Sequence, residues 1–128
     1  MKQLTKAEEQ IMFVLWALEK GFVKDIIDQL PKPKPAYNTV STIVRILEKK
    51  GFVDHNSYGN SYEYFPVVQK KDYTKAFLKN FVRDYFSDSF TEMVSFFAKD
   101  KDMSLDELEE IKNRIIEEIN KQKKDEHE

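Results

Sequence analysis

AYNTVSTIVRILEKKG, residues 36–51, reads as one helix whose two faces differ in chemistry. At roughly 100° per residue, Val40, Ile43, Val44 and Leu47 fall on one side and form a stripe suited to burial. Asn38, Thr42, Arg45 and Lys49 fall on the other side, flanked by Thr39, Ser41 and Ile46. Short hydrogen-bonding side chains near the N-terminus and basic ones further along suit a helix lying in the major groove of DNA. There, small polar groups and Arg read base edges while Lys meets phosphate. A solvated amphipathic helix has the same periodicity, so the flanking sequence has to decide.

Upstream, Thr5-Lys6-Ala7-Glu8 has the spacing of a capping box, and Ile11, Leu15 and Leu18 continue it as a helical stripe. Val14, Met12 and Trp16 widen this apolar surface, and Gly21 is the expected stop. A second helix is predicted over residues 24–30, with Ile26, Ile27 and Leu30 on its buried face. Pro31, Pro33 and Pro35 end it, so KPKP is a stiff basic turn with solvated lysines suited to phosphate. Downstream, Phe52-Val53-Asp54-His55 and residues 61–66 (SYEYFP) are β-prone runs around an Asn/Ser/Gly-rich connection at residues 56–60, the pattern of a hairpin. Tyr62 and Tyr64 share one face of its second strand. Helix, helix, helix, hairpin is the order of a winged helix-turn-helix, whose third helix enters the groove and whose hairpin is the wing. Lys50 at the end of the helix and Asn60 and Tyr62 on the wing complete the candidate DNA-binding set.

Composition narrows the function classes. The 128-residue chain is 41% hydrophobic, enough for a core, and contains no cysteine, which excludes disulfides and thiolate metal sites. His55 and His127 lie too far apart in sequence to suggest a zinc site, and no metal or other cofactor is expected. No apolar run approaches the ~20 residues of a membrane span, and no signal-peptide pattern opens the sequence. The expectation is a soluble cytoplasmic protein without membrane insertion. Net charge is −2, yet residues 100–128 hold eleven acids against six bases, which leaves residues 1–99 at +3. Lys32, Lys34, Arg45, Lys49 and Lys50 surround the organising helix. Such a basic front with an acidic tail fits DNA binding by one part of the chain.

After Pro66 the sequence turns aromatic. Tyr73, Phe77, Phe81 and Tyr85 recur at intervals of four, as do Leu78, Val82 and Phe86, giving two adjacent stripes on one helix. Ser87-Asp88-Ser89 reads as a break, with Ser89 capping a helix that carries Phe90, Val94 and Phe97. Ser104-Leu105-Asp106-Glu107 is a second capping box, starting a last helix with Leu105, Leu108, Ile111 or Lys112 (the turn drifts there), Ile115 and Ile119 on one face and a frayed end over residues 121–128. Faces this apolar need a partner. The expected partner is a second copy of the chain, since closed two-fold dimers match palindromic operators. The expected fold class is mainly α with a small β-hairpin: a winged helix-turn-helix DNA-binding domain over residues 1–68 and a helical dimerisation region over residues 69–128.

The sequence resembles the penicillinase-repressor family, the BlaI/MecI/CopY type of bacterial winged-helix repressors. The resemblance rests on TKAEEQIMFVLW, AYNTVSTIVRILEKKGFV, SYEYFPVV and MSLDELEEIKNRI. It implies a homodimer on a palindromic double-stranded DNA operator, with a regulatory protease as a further partner, because in several members a membrane sensor metalloprotease triggers cleavage that relieves repression. By position, Thr39 and Thr42 match recognition-helix threonines of the family, and Asn38 sits at a polar contact position. Ile46 stands where many members have Arg, and Arg45 lies beside it. The family's Asn-Phe cleavage pair is matched here by Phe96-Phe97, while Asn80-Phe81 lies inside a predicted helix. If repression is relieved by proteolysis, the exposed charged stretch between Phe96 and Met103 is the expected place, cut by a protease of other specificity. The cysteine motif of the copper-responsive members is absent.

Two other classes compete: a winged helix that binds protein, and a ligand-responsive winged-helix regulator with its ligand among the aromatics. A protein-binding face would show apolar anchors, and Ile46 alone leans that way. No nucleophile, base and orienter set can be read, so an enzyme is not expected and no catalytic residue is assigned.

Overall fold

A computed structural model describes residues 1–100 and 103–127 of the chain. Its elements are α1 Lys6–Leu18, α2 Val23–Gln29, α3 Tyr37–Lys49, β1 Val53–Tyr58, β2 Ser61–Pro66, α4 Lys70–Phe86, α5 Phe90–Lys99 and α6 Leu105–Glu126. They form two compact units, Met1–Lys79 and Asn80–Glu128, with α4 beginning in one and ending in the other. The mainly helical class with a β-hairpin is the one the sequence predicts.

In the first unit the helix ends follow local chemistry. The Thr5 hydroxyl accepts the Glu8 N–H at 3.2 Å and the Glu8 carboxylate accepts the Thr5 N–H at 2.9 Å, which makes the predicted capping box. Contrary to expectation, α1 does not run to Gly21. It stops at Leu18, and Glu19 takes the left-handed turn at φ +71°. Gly21 instead bridges to Tyr64, donating at 2.9 Å and accepting at 2.8 Å. At the end of α2, Lys34 Nζ donates to the carbonyls of Ile27, Asp28 and Leu30 at 3.1, 2.9 and 2.8 Å. Lys34, exposed as the sequence reading has it, thereby also caps orphaned carbonyls at the end of the helix. Gly51, at φ +83°, closes α3: its N–H reaches the Glu48 carbonyl at 3.0 Å and the Phe52 N–H reaches Leu47 at 3.0 Å.

The hairpin pairs antiparallel from Val53↔Pro66 to Tyr58↔Ser61 around a Gly59-Asn60 loop. The strand thus takes in Asn56, Ser57 and Tyr58, which the sequence assigned to the connection. These residues are exposed, so ladder hydrogen bonds hold them rather than burial, and no apolar alternation announced them. Gly59 at φ +62° supplies the left-handed first loop residue that such a tight turn requires.

Ile11, Met12 and Leu15 of α1, Ile26 of α2 and Val40, Val44 and Leu47 of α3 are buried together with Leu30, Phe52, Val53 and Tyr64. Leu18 and Ile43 are half-buried. Tyr73 joins this core, its ring 5.7 Å from Trp16 and 6.0 Å from Phe52, and its hydroxyl donates to Glu9 Oε2 at 2.7 Å. The sequence grouped Tyr73 with the distal aromatic stripe; in the structure the start of α4 packs on the first unit. Trp16 Nε1 donates to the Val68 carbonyl at 2.9 Å.

In the second unit, α4 ends in two left-handed residues, Ser87 and Asp88, and the Ser89 hydroxyl caps α5 by accepting the Glu92 N–H at 3.1 Å. Ser104 caps α6 in the same way through the Glu107 N–H at 3.1 Å. The helix continues to Glu126, so residues 121–126 are helical and not frayed. Val82 is fully buried, while α5 and α6 bury none of their side chains. Among the described residues, no helix is long and apolar enough to cross a membrane.

Candidate nucleic-acid interface

The wing meets one flank of α3. His55 Nδ1 of β1 lies 2.5 Å from Glu48 Oε2 near the end of the helix, and the His55 ring stacks on Tyr62 of β2 with centroids 4.2 Å apart. Glu48, Asp54 and His55 bring ligand-type atoms within 4.8 Å of one another. The His55–Glu48 bond, with the His55 N–H donating to Asp54 Oδ1 at 2.8 Å, accounts for that gathering. On the same flank Ser41 is only 7% exposed, and its Oγ accepts from Arg45 Nη2 at 3.1 Å. Between this flank and the wing opens a cleft of about 440 Å³ lined by Val23, Tyr37, Ser41, Arg45, Asn60, Tyr62 and Tyr64. A neighbouring hollow of about 400 Å³ extends it past Phe22, Tyr58 and Ser61. Burial pushes the Tyr64 phenol up, the Glu48 carboxylate adds to the rise, and the Arg45 guanidinium opposes it.

The rest of the predicted set divides by exposure. Asn38, Thr39, Thr42, Arg45 and Lys49 are exposed along α3, together with Ile46, and Asn60 and Tyr62 are exposed on the wing. Ser41 and Lys50 are turned to the protein. Lys50 Nζ sits 2.7 Å from Oε2 of Glu8, a side chain only 4% exposed. Burial pushes the Glu8 carboxyl up, but Lys50 and the hydrogen bonds at Thr5 outweigh it and hold the carboxyl below its ordinary value. The sequence reading passed over Tyr37 and Tyr58, exposed aromatics that line the two hollows. A tyrosine opening a polar-faced helix and another ending a wing strand were the available signals.

Of the side chains expected to join two copies, Phe77, Tyr85, Phe90, Val94, Phe97, Ile111, Ile115 and Ile119 are exposed, whereas Phe81 and Leu108 are half-buried. Along α6, Arg114 pairs with Glu110 at 3.0 Å on the side away from the isoleucines, while Lys112, which pairs with Glu109 at 2.7 Å, falls within the apolar stripe.

Three helices with a polar-faced third helix, followed by a two-stranded wing on its flank, define a winged helix-turn-helix protein. The family model described as Penicillinase repressor matches residues 4–117, and the chain belongs to the penicillinase repressor family. That family is made up of DNA-binding repressors and not of enzymes. The chain is 28% identical over 112 residues to the methicillin resistance regulatory protein MecI of Staphylococcus aureus (strain N315), covering 87% of this chain and 91% of that protein. It is 27% identical over 124 residues to the penicillinase repressor of Bacillus licheniformis, covering 96% of each. A solved structure described as the complex structure of hsRosR-S4 is similar in fold, with a TM-score of 0.55 at 15% identity over 93% of this chain and 92% of that one.

Proposed function

We propose that the protein is a dimeric transcriptional repressor that binds a palindromic operator. In this reading residues 1–68 bind DNA through α3 and the wing, and residues 69–128 assemble two copies. The observation that carries it is the exposed row of Asn38, Thr42 and Lys49 on α3, set beside the wing in a chain of the repressor family. Such a row offers hydrogen-bonding groups to base edges and a cation to phosphate. The exposed apolar faces of α5 and α6 support assembly, because contiguous faces of this kind mark interaction sites. A second copy supplies a matching face and places two recognition helices one helical turn of DNA apart.

Relief of repression by proteolysis fits the same arrangement. A cut between Phe96 and Met103 would detach α6 from the rest of the chain. Ala98, Lys99 and Asp100 are exposed there, the first two in the last turn of α5, whereas Lys101 and Asp102 lie outside the described residues. Phe96 lacks the carboxamide that a protease selective for Asn-Phe would pair with. An intact chain recovered under full induction and weighed by mass spectrometry overturns this route, and a cut at Asn80-Phe81 overturns the assigned position.

Genome-wide recovery of DNA bound by the protein tests the function itself. The expected result is a set of promoter sites sharing an inverted repeat. Recovery without a shared sequence counts against a repressor of specific operators.

A further inference from the structure

We propose that Arg45 is a clamp for the DNA backbone, seated between the recognition helix and the wing, and not a reader of base edges. This inference rests on the DNA-binding function proposed above and assigns one side chain within it. From sequence alone Arg45 belongs with the outward face of α3 and with base readout. Its surroundings turn it elsewhere.

At 100° per residue, Tyr37, Ser41, Arg45 and Glu48 follow one flank of α3. That flank is the one the wing covers: Glu48 is bonded to His55 of β1, and Ser41 and Arg45 line the cleft that Asn60, Tyr62 and Tyr64 close from the other side. The guanidinium is held there by the nearly buried Ser41 hydroxyl at 3.1 Å, so one of its donors is engaged and the remainder stay free to fork onto an anion. The cleft walls beside Arg45 add phenol hydroxyls and the Asn60 amide, which are donors, and no carboxylate is among the described residues that line this part; Asp25, with Lys24, lines the adjoining hollow. One fixed cation with neutral donors around it in a concave site matches a phosphodiester, whose charge-assisted bonds to Arg are bidentate. A helix in the major groove passes a phosphate chain on each flank, and the wing lies along one of them. Base edges are then left to the groove-facing set, Asn38, Thr39, Thr42 and Ile46. Ile46, 42% exposed, supplies the apolar surface that a thymine methyl group takes.

The test uses the full-length protein and a duplex selected by it from a random-sequence library, with binding followed by fluorescence anisotropy over a range of salt. Arg45→Ala should lose roughly ten-fold or more in affinity at moderate salt. The plot of log affinity against log salt should flatten by about 1 for each phosphate that the variant no longer neutralises. A fresh selection with the variant should return the same base preferences. Ser41→Ala, which frees the guanidinium without removing it, should lose affinity by a few fold with base preference unchanged. Ile46→Ala should change preference at one position of each half-site and leave the salt slope alone. Arg45 lies exposed, and circular dichroism with the conservative Arg45→Gln guards against misfolding. An altered base preference in Arg45→Ala with an unchanged salt slope overturns the clamp and returns Arg45 to base readout. A wild-type protein that retains no duplex from the library overturns the DNA-binding function, and the clamp with it.

Discussion

Leu15, Ile26, Val44 and Phe52 in the first unit are each at most 1% exposed, while α5 and α6 contribute no buried side chain. The first unit holds 35 apolar residues in 79 and the second 17 in 49, and the two differ more sharply in where those residues find neighbours. In Met1–Lys79, three helices and a hairpin close around one core. In Asn80–Glu128, Tyr85 is 73% exposed and Leu105 also 73%, and the isoleucines of α6 face outward. Fully burying a side chain of this kind is worth roughly 1.5–3 kcal/mol, so a row of them left in water is a strong incentive to associate. The first region buries its apolar side chains within one chain, whereas the second leaves those of α5 and α6 exposed, as the proposed assembly of two copies requires.

The largest effect should come from removing the second region's last element. A chain ending at Met103 is expected to keep a cooperative melt and the helical signal of the first unit, yet to sediment as a monomer. Its operator affinity should fall by about two orders of magnitude or more, because two joined half-site binders profit from a high effective concentration. A truncated chain that binds operator as tightly as the whole one breaks the comparison, since α6 would then have no assembling role.

A pair of substitutions separates the regions at the level of single side chains. Leu47→Ala should destabilise the first unit by about 2–5 kcal/mol, the cost of a cavity in a closed core. Ile115→Ser should leave the urea midpoint of the first unit unchanged and instead raise the concentration at which dimers dissociate, read by analytical ultracentrifugation. If Ile115→Ser lowers the midpoint of the first unit, the two regions are not energetically separate.

How far the sequence disclosed this arrangement depended on which force held each element. Helices α1 and α3 were legible because Thr5, Glu8 and Gly51 are capping signals and the apolar stripes repeat at 3.6 residues. The capping serines 89 and 104 likewise marked α5 and α6. Elements held by tertiary pairing were misread at their edges. Gly21 looked like a helix stop but serves a bridge to Tyr64, and the wing strand ran past Asn56 because its partner strand, not its own sequence, fixes it. Periodicity placed Asn38, Thr42 and Lys49 on the outward face of α3, and the basic turn and hairpin around the helix, not periodicity, carried the expectation that this face meets DNA. That Lys34 and Lys50 are engaged within the protein could not be read, since their partners are backbone carbonyls of α2 and Glu8, 42 residues away from Lys50.

The Glu8–Lys50 pair offers a smaller test of the first region's self-sufficiency. Lys50→Met should cost about 1–3 kcal/mol, because it strands a buried carboxylate without its cation. The sign of the pH dependence follows from the lowered Glu8 value. Its contribution is complete above the ordinary value of 4.5 and is lost as pH falls through the lower value of the folded state. Urea unfolding should therefore show wild-type stability falling on acidification below about pH 4.5, with Lys50→Met lacking most of that contribution already near neutrality. Equal acid profiles for the two proteins would remove the pair from the account.

Tyr73 marks the border between the regions, and it should give the smallest effect. It stands in the first turn of α4, on the same helix as the exposed Tyr85, but is packed beside Trp16 and Phe52 with its hydroxyl on Glu9. Burial, with the Glu9 hydrogen bond and charge adding to it, pushes the phenol up to about 12 from its ordinary 10.0. The folded state therefore holds this proton more tightly than the unfolded chain. Its contribution is full below pH 10 and fades as pH rises toward about 12. Tyr73→Phe should cost about 1 kcal/mol at neutral pH, one hydrogen bond to a carboxylate, and should flatten the loss of stability above pH 10. Tyr85→Phe should do neither. Urea midpoints across the alkaline range, together with phenolate absorbance, check both variants. If Tyr73→Phe weakens the dimer and spares the first unit, the border lies before α4, and the helix belongs from its first turn to the region that needs a partner.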